Sequence, residues 1–146
     1  ALAGGLANLR WPARFELASR EPDFIIDGGH NPQCARSLAE NLRLYYPERR
    51  RVLLLGIMAD KDFKSFLHEL AAEAGVFVCT APRGERALPP ELLAQELKSC
   101  GKPVFVRGSL PEAIDTARRA AGMDGVVCCA GSLYLAAEAR EYFGLE

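Results

Sequence analysis

The chain has 146 residues, a formal net charge of −1, 49% apolar residues and 25% charged ones. That length supports one domain around one core, and the apolar content excludes a generally disordered chain. Eighteen basic residues against nineteen acidic ones leave no net excess for binding nucleic acid or an anionic membrane, and no apolar run reaches the ~20 residues that cross a bilayer.

Residues 1–9 are mildly apolar, without a basic start or a long hydrophobic centre, and do not read as a signal peptide. The chain opens without Met and runs straight into Leu9, Arg10, Trp11 and Pro12; the expectation is a piece of a longer polypeptide. Alternation over 14–18 predicts a first strand, and 24–27 a second, ended by Gly28 and Gly29. Asn31 offers a helix cap and Pro32 a preset first position, so a helix should run to about Tyr45 and stop at Pro47. The continuous apolar run over 51–57 predicts a strand buried on both faces. Phe63, Phe66, Leu67 and Leu70 then recur at helical spacing over 62–74. A strand over 76–80, a mobile Pro/Gly/Arg-rich loop over 81–88 and a helix over 89–98 follow. The remaining pattern is a strand over 104–106, a helix over 111–121, a strand over 125–129 and a helix over 132–142.

Helices between strands mean crossovers, and crossovers mean a mostly parallel sheet. The expected fold is α/β, a three-layer Rossmann-like sandwich. The first strand has no helix before its neighbour, which predicts an antiparallel or edge placement. The cysteines, Cys34, Cys79, Cys100, Cys128 and Cys129, are odd in number and contain no C-x-x-C pair. A reduced, cytosolic setting is expected, with no metal site in this chain.

Ligands in open α/β sheets bind at the carboxyl ends of strands, and three such ends carry chemistry here. Asp27, Gly28, Gly29, His30, Asn31 and Pro32 join a buried strand to a helix N-terminus, a natural anion site. An Asp-Gly turn with Asn31 as cap explains the same residues. Gly56 to Asp62 is charge-rich, and a solvated loop with Asp62 as cap accounts for it. Ala130, Gly131, Ser132, Leu133 and Tyr134 form a third strand-to-helix junction, where Ser132 suits either a cap or a carboxylate or phosphate contact. His68 reads as a surface residue. There is no G-x-x-x-x-G-K-[ST] loop, no G-x-G-x-x-G and no G-x-S-x-G elbow, which argues against P-loop, dinucleotide and esterase chemistry in this chain.

In order, Trp11-Pro12-Ala13-Arg14-Phe15-Glu16, Asp27-Gly28-Gly29-His30-Asn31-Pro32, Asp60-Lys61-Asp62, Arg86-Ala87-Leu88-Pro89 and Gly131-Ser132-Leu133-Tyr134 resemble the C-terminal domain of the folylpolyglutamate synthase and dihydrofolate synthase family, in the Mur ligase superfamily. The resemblance extends from about Leu9 to the end. It implies that 1–146 is the C-terminal domain of a cytosolic, monomeric ATP-dependent ligase of folate biosynthesis and one-carbon metabolism. Such a ligase adds L-glutamate to a folate, to dihydropteroate, or to both, through an acyl phosphate. It also implies a partner P-loop domain in the same chain, holding ATP and the Mg²⁺ ligands, so that this piece alone is inactive. Arg14 matches an arginine that reaches the ATP phosphates, Asp27 an aspartate on the nucleotide, and His30 lies beside it; Arg14 and His30 are the expected catalytic groups. Ser132 matches a position near the incoming glutamate, and Asp60 and Lys61 a loop at the domain interface. Gly29 stands where the family usually has Ala, which should loosen the turn slightly. The alternatives are a Mur-type peptidoglycan ligase domain and a free-standing nucleotide-binding α/β module.

Overall fold

The computed structural model describes residues 12–84 and 86–145; Trp11 and residues 1–9 lie outside them. The elements are β1 (Glu16–Ser19), β2 (Asp23–Ile26), α1 (Pro32–Tyr45), β3 (Arg51–Leu55), α2 (Phe63–Leu70), β4 (Val76–Cys79), α3 (Pro90–Leu97), β5 (Val104–Val106), α4 (Leu110–Ala121), β6 (Val126–Ala130) and α5 (Leu133–Tyr142). Short 3₁₀ turns extend α2 over Ala71–Glu73 and α3 over Lys98–Cys100. Asn31 and Ser132 accept backbone N–H bonds at the starts of α1 and α5, as their sequences predict, and Ser109 does the same at α4.

The strands form one sheet in the order β1-β2-β6-β3-β4-β5. β1 runs antiparallel to β2 at the edge, and every other pairing is parallel. Strand periodicity divides the core into two layers. Ile25, Leu53, Leu55, Phe77 and Cys128 face the apolar sides of α1, α2 and α3. Phe24, Ile26, Leu54, Val78 and Cys129 face α4 and α5. The expected three-layer α/β sandwich is the observed one. Among the described residues no helix is long and apolar enough to cross a membrane.

Two expectations change. The first strand starts at Glu16 rather than Arg14, because Ala13 and Phe15 have positive φ angles of 57° and 47° and belong to a turn. In the loop over 81–88, expected to be mobile, the described residues on both sides of position 85 are hydrogen-bonded to the body of the domain. The Arg83 amide donates to Glu138 Oε2 at 3.0 Å. Ala59 N–H donates to Arg86 O at 2.7 Å and Leu88 N–H to Ile57 O at 2.8 Å, around a bridge between Met58 and Ala87.

Candidate functional site

Strands β2, β6 and β3 are neighbours in the sheet, so their carboxyl ends lie side by side along one edge. That topology brings the three chemistry-bearing junctions of the sequence to one rim. They are also bonded to each other. Gly131 N–H donates to Gly29 O at 3.2 Å, and Gly56 N–H to Ala130 O at 3.3 Å. Gly131 has φ +116°, and a Cβ there would stand 2.7 Å from Gly56 O, so only glycine fits this crossing without strain.

The turn before β1 leans on the β2 end. Ala13 O accepts from Gly28 N–H at 2.8 Å, and Phe15 N–H donates to Asp27 Oδ1 at 2.9 Å. Ala13 N–H donates to Glu16 Oε1 at 3.0 Å. Positive φ at a residue with a side chain costs about 1–3 kcal/mol and persists only where its surroundings hold it. Here two carboxylates and an amide hold the residues on both sides of Arg14. Arg14 itself is exposed, and among the described residues its guanidinium has no hydrogen-bond partner. Its charge still lowers the pKa of Asp27.

Asp27 accepts from Phe15 N–H through one oxygen and from Gly29 N–H at 3.0 Å through the other. Burial nevertheless dominates and raises its pKa above the ordinary aspartate value, against those two amides and the Arg14 charge. Gly29 is packed rather than loose. A Cβ there would stand 2.7 Å from Cys34 Cβ and 2.8 Å from Asp27 Oδ2, so the glycine admits both the first turn of α1 and the Asp27 carboxylate. His30 Nδ1 lies 3.3 Å from Gly28 O. A carbonyl only accepts, so a hydrogen bond here has Nδ1–H as its donor.

Arg14, Asp27 and His30 line one cavity of about 710 Å³, with Phe15, Leu133 and the polar edge of α1 at Gln33, Ser37 and Asn41. The spacing of Gln33, Ser37 and Asn41 at i, i+4 and i+8 marks one helix face, a signal present in the sequence but not connected to the site there. Ser132 lies just beneath, 1% exposed, its Oγ accepting from Tyr134 N–H at 3.0 Å and Leu135 N–H at 3.4 Å. It caps α5, while its neighbour Leu133, 58% exposed, reaches the cavity. Asp60 and Lys61 lie on the loop between β3 and α2 and do not line this cavity. Asp62 caps α2 by accepting from Ser65 N–H at 3.2 Å, and hydrogen bonding from the Ser65 side chain first, then from that amide, holds its carboxyl below the usual value. His68 is exposed.

Residues 13–133 match the family model for the Mur ligase glutamate ligase domain. A probable bifunctional folylpolyglutamate synthase/dihydropteroate synthase of Haloferax volcanii is 38% identical over 144 residues, covering 96% of this chain and 17% of that protein. Folylpolyglutamate synthase of Mycobacterium tuberculosis, solved with ADP and AMPPCP, superposes with a TM-score of 0.86 at 30% identity, over 93% of this chain and 33% of that one. E. coli FolC in complex with DHPP and ADP superposes at 0.84 and 26% identity, over 92% and 31%. The chain therefore spans about a third or less of the relatives it matches.

Proposed function

The chain belongs to the family of Mur ligase glutamate ligase domains, and from that membership we propose that it is the C-terminal domain of an ATP-dependent ligase. The ligase joins L-glutamate to a folate, to dihydropteroate, or to both. The observation that carries this reading is the cavity in which Arg14, Asp27 and His30 converge beside a clamped turn. In it, ATP supplies a phosphoryl group to the carboxylate of the acceptor, and the amine of glutamate displaces phosphate from the acyl phosphate.

Phosphoryl transfer needs position and charge more than covalent help from the protein. Arg14 fits that need. It is a permanent cation whose fork spans two oxygens, and among the described residues it has no hydrogen-bond partner. The turn fixes the backbone from which it projects, so the ordering cost left when an anion arrives is that of the side chain alone. His30, with Nδ1 beside Gly28 O, lines the same cavity. Asp27 holds the turn and keeps lone pairs for a ribose hydroxyl. Ser132 and Leu133 open α5 next to the glutamate, and Asp60 and Lys61 meet the partner domain. Among the described residues no three His, Cys, Asp or Glu side chains are grouped to hold a metal ion. We assign the Mg²⁺ ligands and the P-loop to an N-terminal domain of the same polypeptide. Closure of that domain onto the cavity would exclude water from the acyl phosphate.

The test incubates the complete gene product with ATP, Mg²⁺ and isotope-labelled glutamate. Dihydropteroate, tetrahydrofolate and a UDP-muramoyl peptide are offered in separate reactions. Mass spectrometry should find labelled pteroate or folate product. Labelled muramoyl product alone would move the protein to cell-wall synthesis, and a folded protein giving no product would make it a binding module.

A further inference from the structure

Glu16, the first residue of β1, is 1% exposed, and it meets Arg140 from the last turn of α5, 124 positions away in sequence. Arg140 Nε donates to Glu16 Oε1 at 2.8 Å and Nη2 to Oε2 at 3.3 Å. This is the two-pronged fork-on-carboxylate geometry. As a mere joint between β1 and α5 it has no advantage, because a buried ion pair is often matched or bettered by apolar residues of similar volume. An apolar pair cannot accept a hydrogen bond, however. The same Glu16 Oε1 takes the N–H of Ala13, the positive-φ residue immediately before Arg14. The carboxylate therefore faces two ways, to the α5 guanidinium and to the turn that presents Arg14.

Helix α5 also reaches the cavity directly, through Leu133 in its first turn. Residue 140 lies seven positions on, about 10 Å along the axis. One helix thus borders the cavity at its start and anchors the Arg14 turn near its end. We propose that Glu16 and Arg140 are positioning residues for Arg14: the guanidinium of Arg140 fixes the Glu16 carboxylate, and the carboxylate fixes the turn that aims Arg14 at the nucleotide phosphates. This rests on the reading that Arg14 engages those phosphates.

The test uses the complete gene product and a mutant cycle. Glu16→Leu combined with Arg140→Met removes both charges of this pair together. The same two changes are then made in an Arg14→Ala background. Melting temperature, kcat/KM for ATP and the Kd of a non-hydrolysable ATP analogue are measured throughout. The Glu16→Leu/Arg140→Met protein should melt within a few degrees of the parent. Its kcat/KM for ATP should fall about ten- to a hundredfold, as for a misplaced charged group. In the Arg14→Ala background the same changes should cost almost nothing further, since residues acting through one another are not additive. A full loss that persists without Arg14, or an unchanged kcat/KM in its presence, overturns the proposal. If the apolar pair does not fold, Arg140→Lys replaces it in the cycle. Lysine keeps the charge but cannot span both oxygens, so a smaller loss confined to the Arg14 background is expected, and an additive loss overturns the proposal. If the unaltered protein ligates no acceptor, the ligase reading fails. The analogue Kd then decides the positioning role by the same test of additivity.

Discussion

The Asp27 carboxylate is pulled in opposite directions. Burial raises its pKa, while the Gly29 and Phe15 amides and the Arg14 charge oppose that rise. A folded pKa above the unfolded one means that the folded chain holds the proton more tightly. Ionised Asp27 therefore detracts from stability at neutral pH, and the cost is relieved as pH falls through the folded pKa. Function runs the other way. A protonated carboxyl turns one acceptor into a donor, and Phe15 N–H or Gly29 N–H loses its partner. The turn around Arg14 should then loosen. We expect kcat/KM for ATP to drop on acidification, with its midpoint above the ordinary aspartate range, and Asp27→Asn to abolish that acid limb while lowering the plateau. An acid limb unchanged in Asp27→Asn would assign it to another group. At this scale the sequence was least informative. Asp27 reads equally as ligand contact or turn former, and the structure gives it the turn, with the cavity beside it. Gly29 looks like a loosened alanine position until Cys34 and Asp27 are seen filling the space of its Cβ.

The elements were far more legible, because their signals are periodic. The run of Val52, Leu53, Leu54 and Leu55 has no polar face, and β3 is indeed covered on both sides. Edge strand β5 instead leaves Phe105 37% exposed. Deleting side-chain volume should cost accordingly. Leu54→Ala in the 146-residue chain is expected to lose about 2–5 kcal/mol in denaturant titration, and Phe105→Ala about 1 kcal/mol or less. Equal losses would contradict the placement of β3 at the sheet centre and β5 at its edge. Where elements were misread, the cause is local geometry without a periodic trace. Alternation over 14–18 cannot reveal that Ala13 and Phe15 have positive φ, and composition cannot reveal that Arg83 and Arg86 are anchored by distant partners. Buried Glu16 broke the alternating pattern for the same reason, since its partner Arg140 is supplied by the last helix.

Across the whole molecule, strand order converts a scattered set of weak motifs into one rim. Arg14, Asp27 and His30 come from the start of the chain and Leu133 from near its end, and they meet because β2 and β6 pair in parallel. The motif order in the sequence anticipates the family and the three residues that converge. It leaves Ser132 open between a cap and a ligand contact, because the two demand the same residue type; the structure shows the cap on α5, and it is Leu133 that lines the cavity. Asp60 and Lys61, expected on a loop at a domain interface, lie outside the cavity lining. On the proposed function, this rim is the face that the domain turns toward the phosphates of ATP. The most direct measurement compares kcat/KM for ATP in the complete gene product with Arg14, Arg14→Lys and Arg14→Ala, using labelled glutamate transfer as the readout. Alanine should lose about a hundredfold or more, and lysine, which keeps the charge but not the fork, should recover part of it. Turnover and ATP affinity unchanged in Arg14→Ala would contradict that reading.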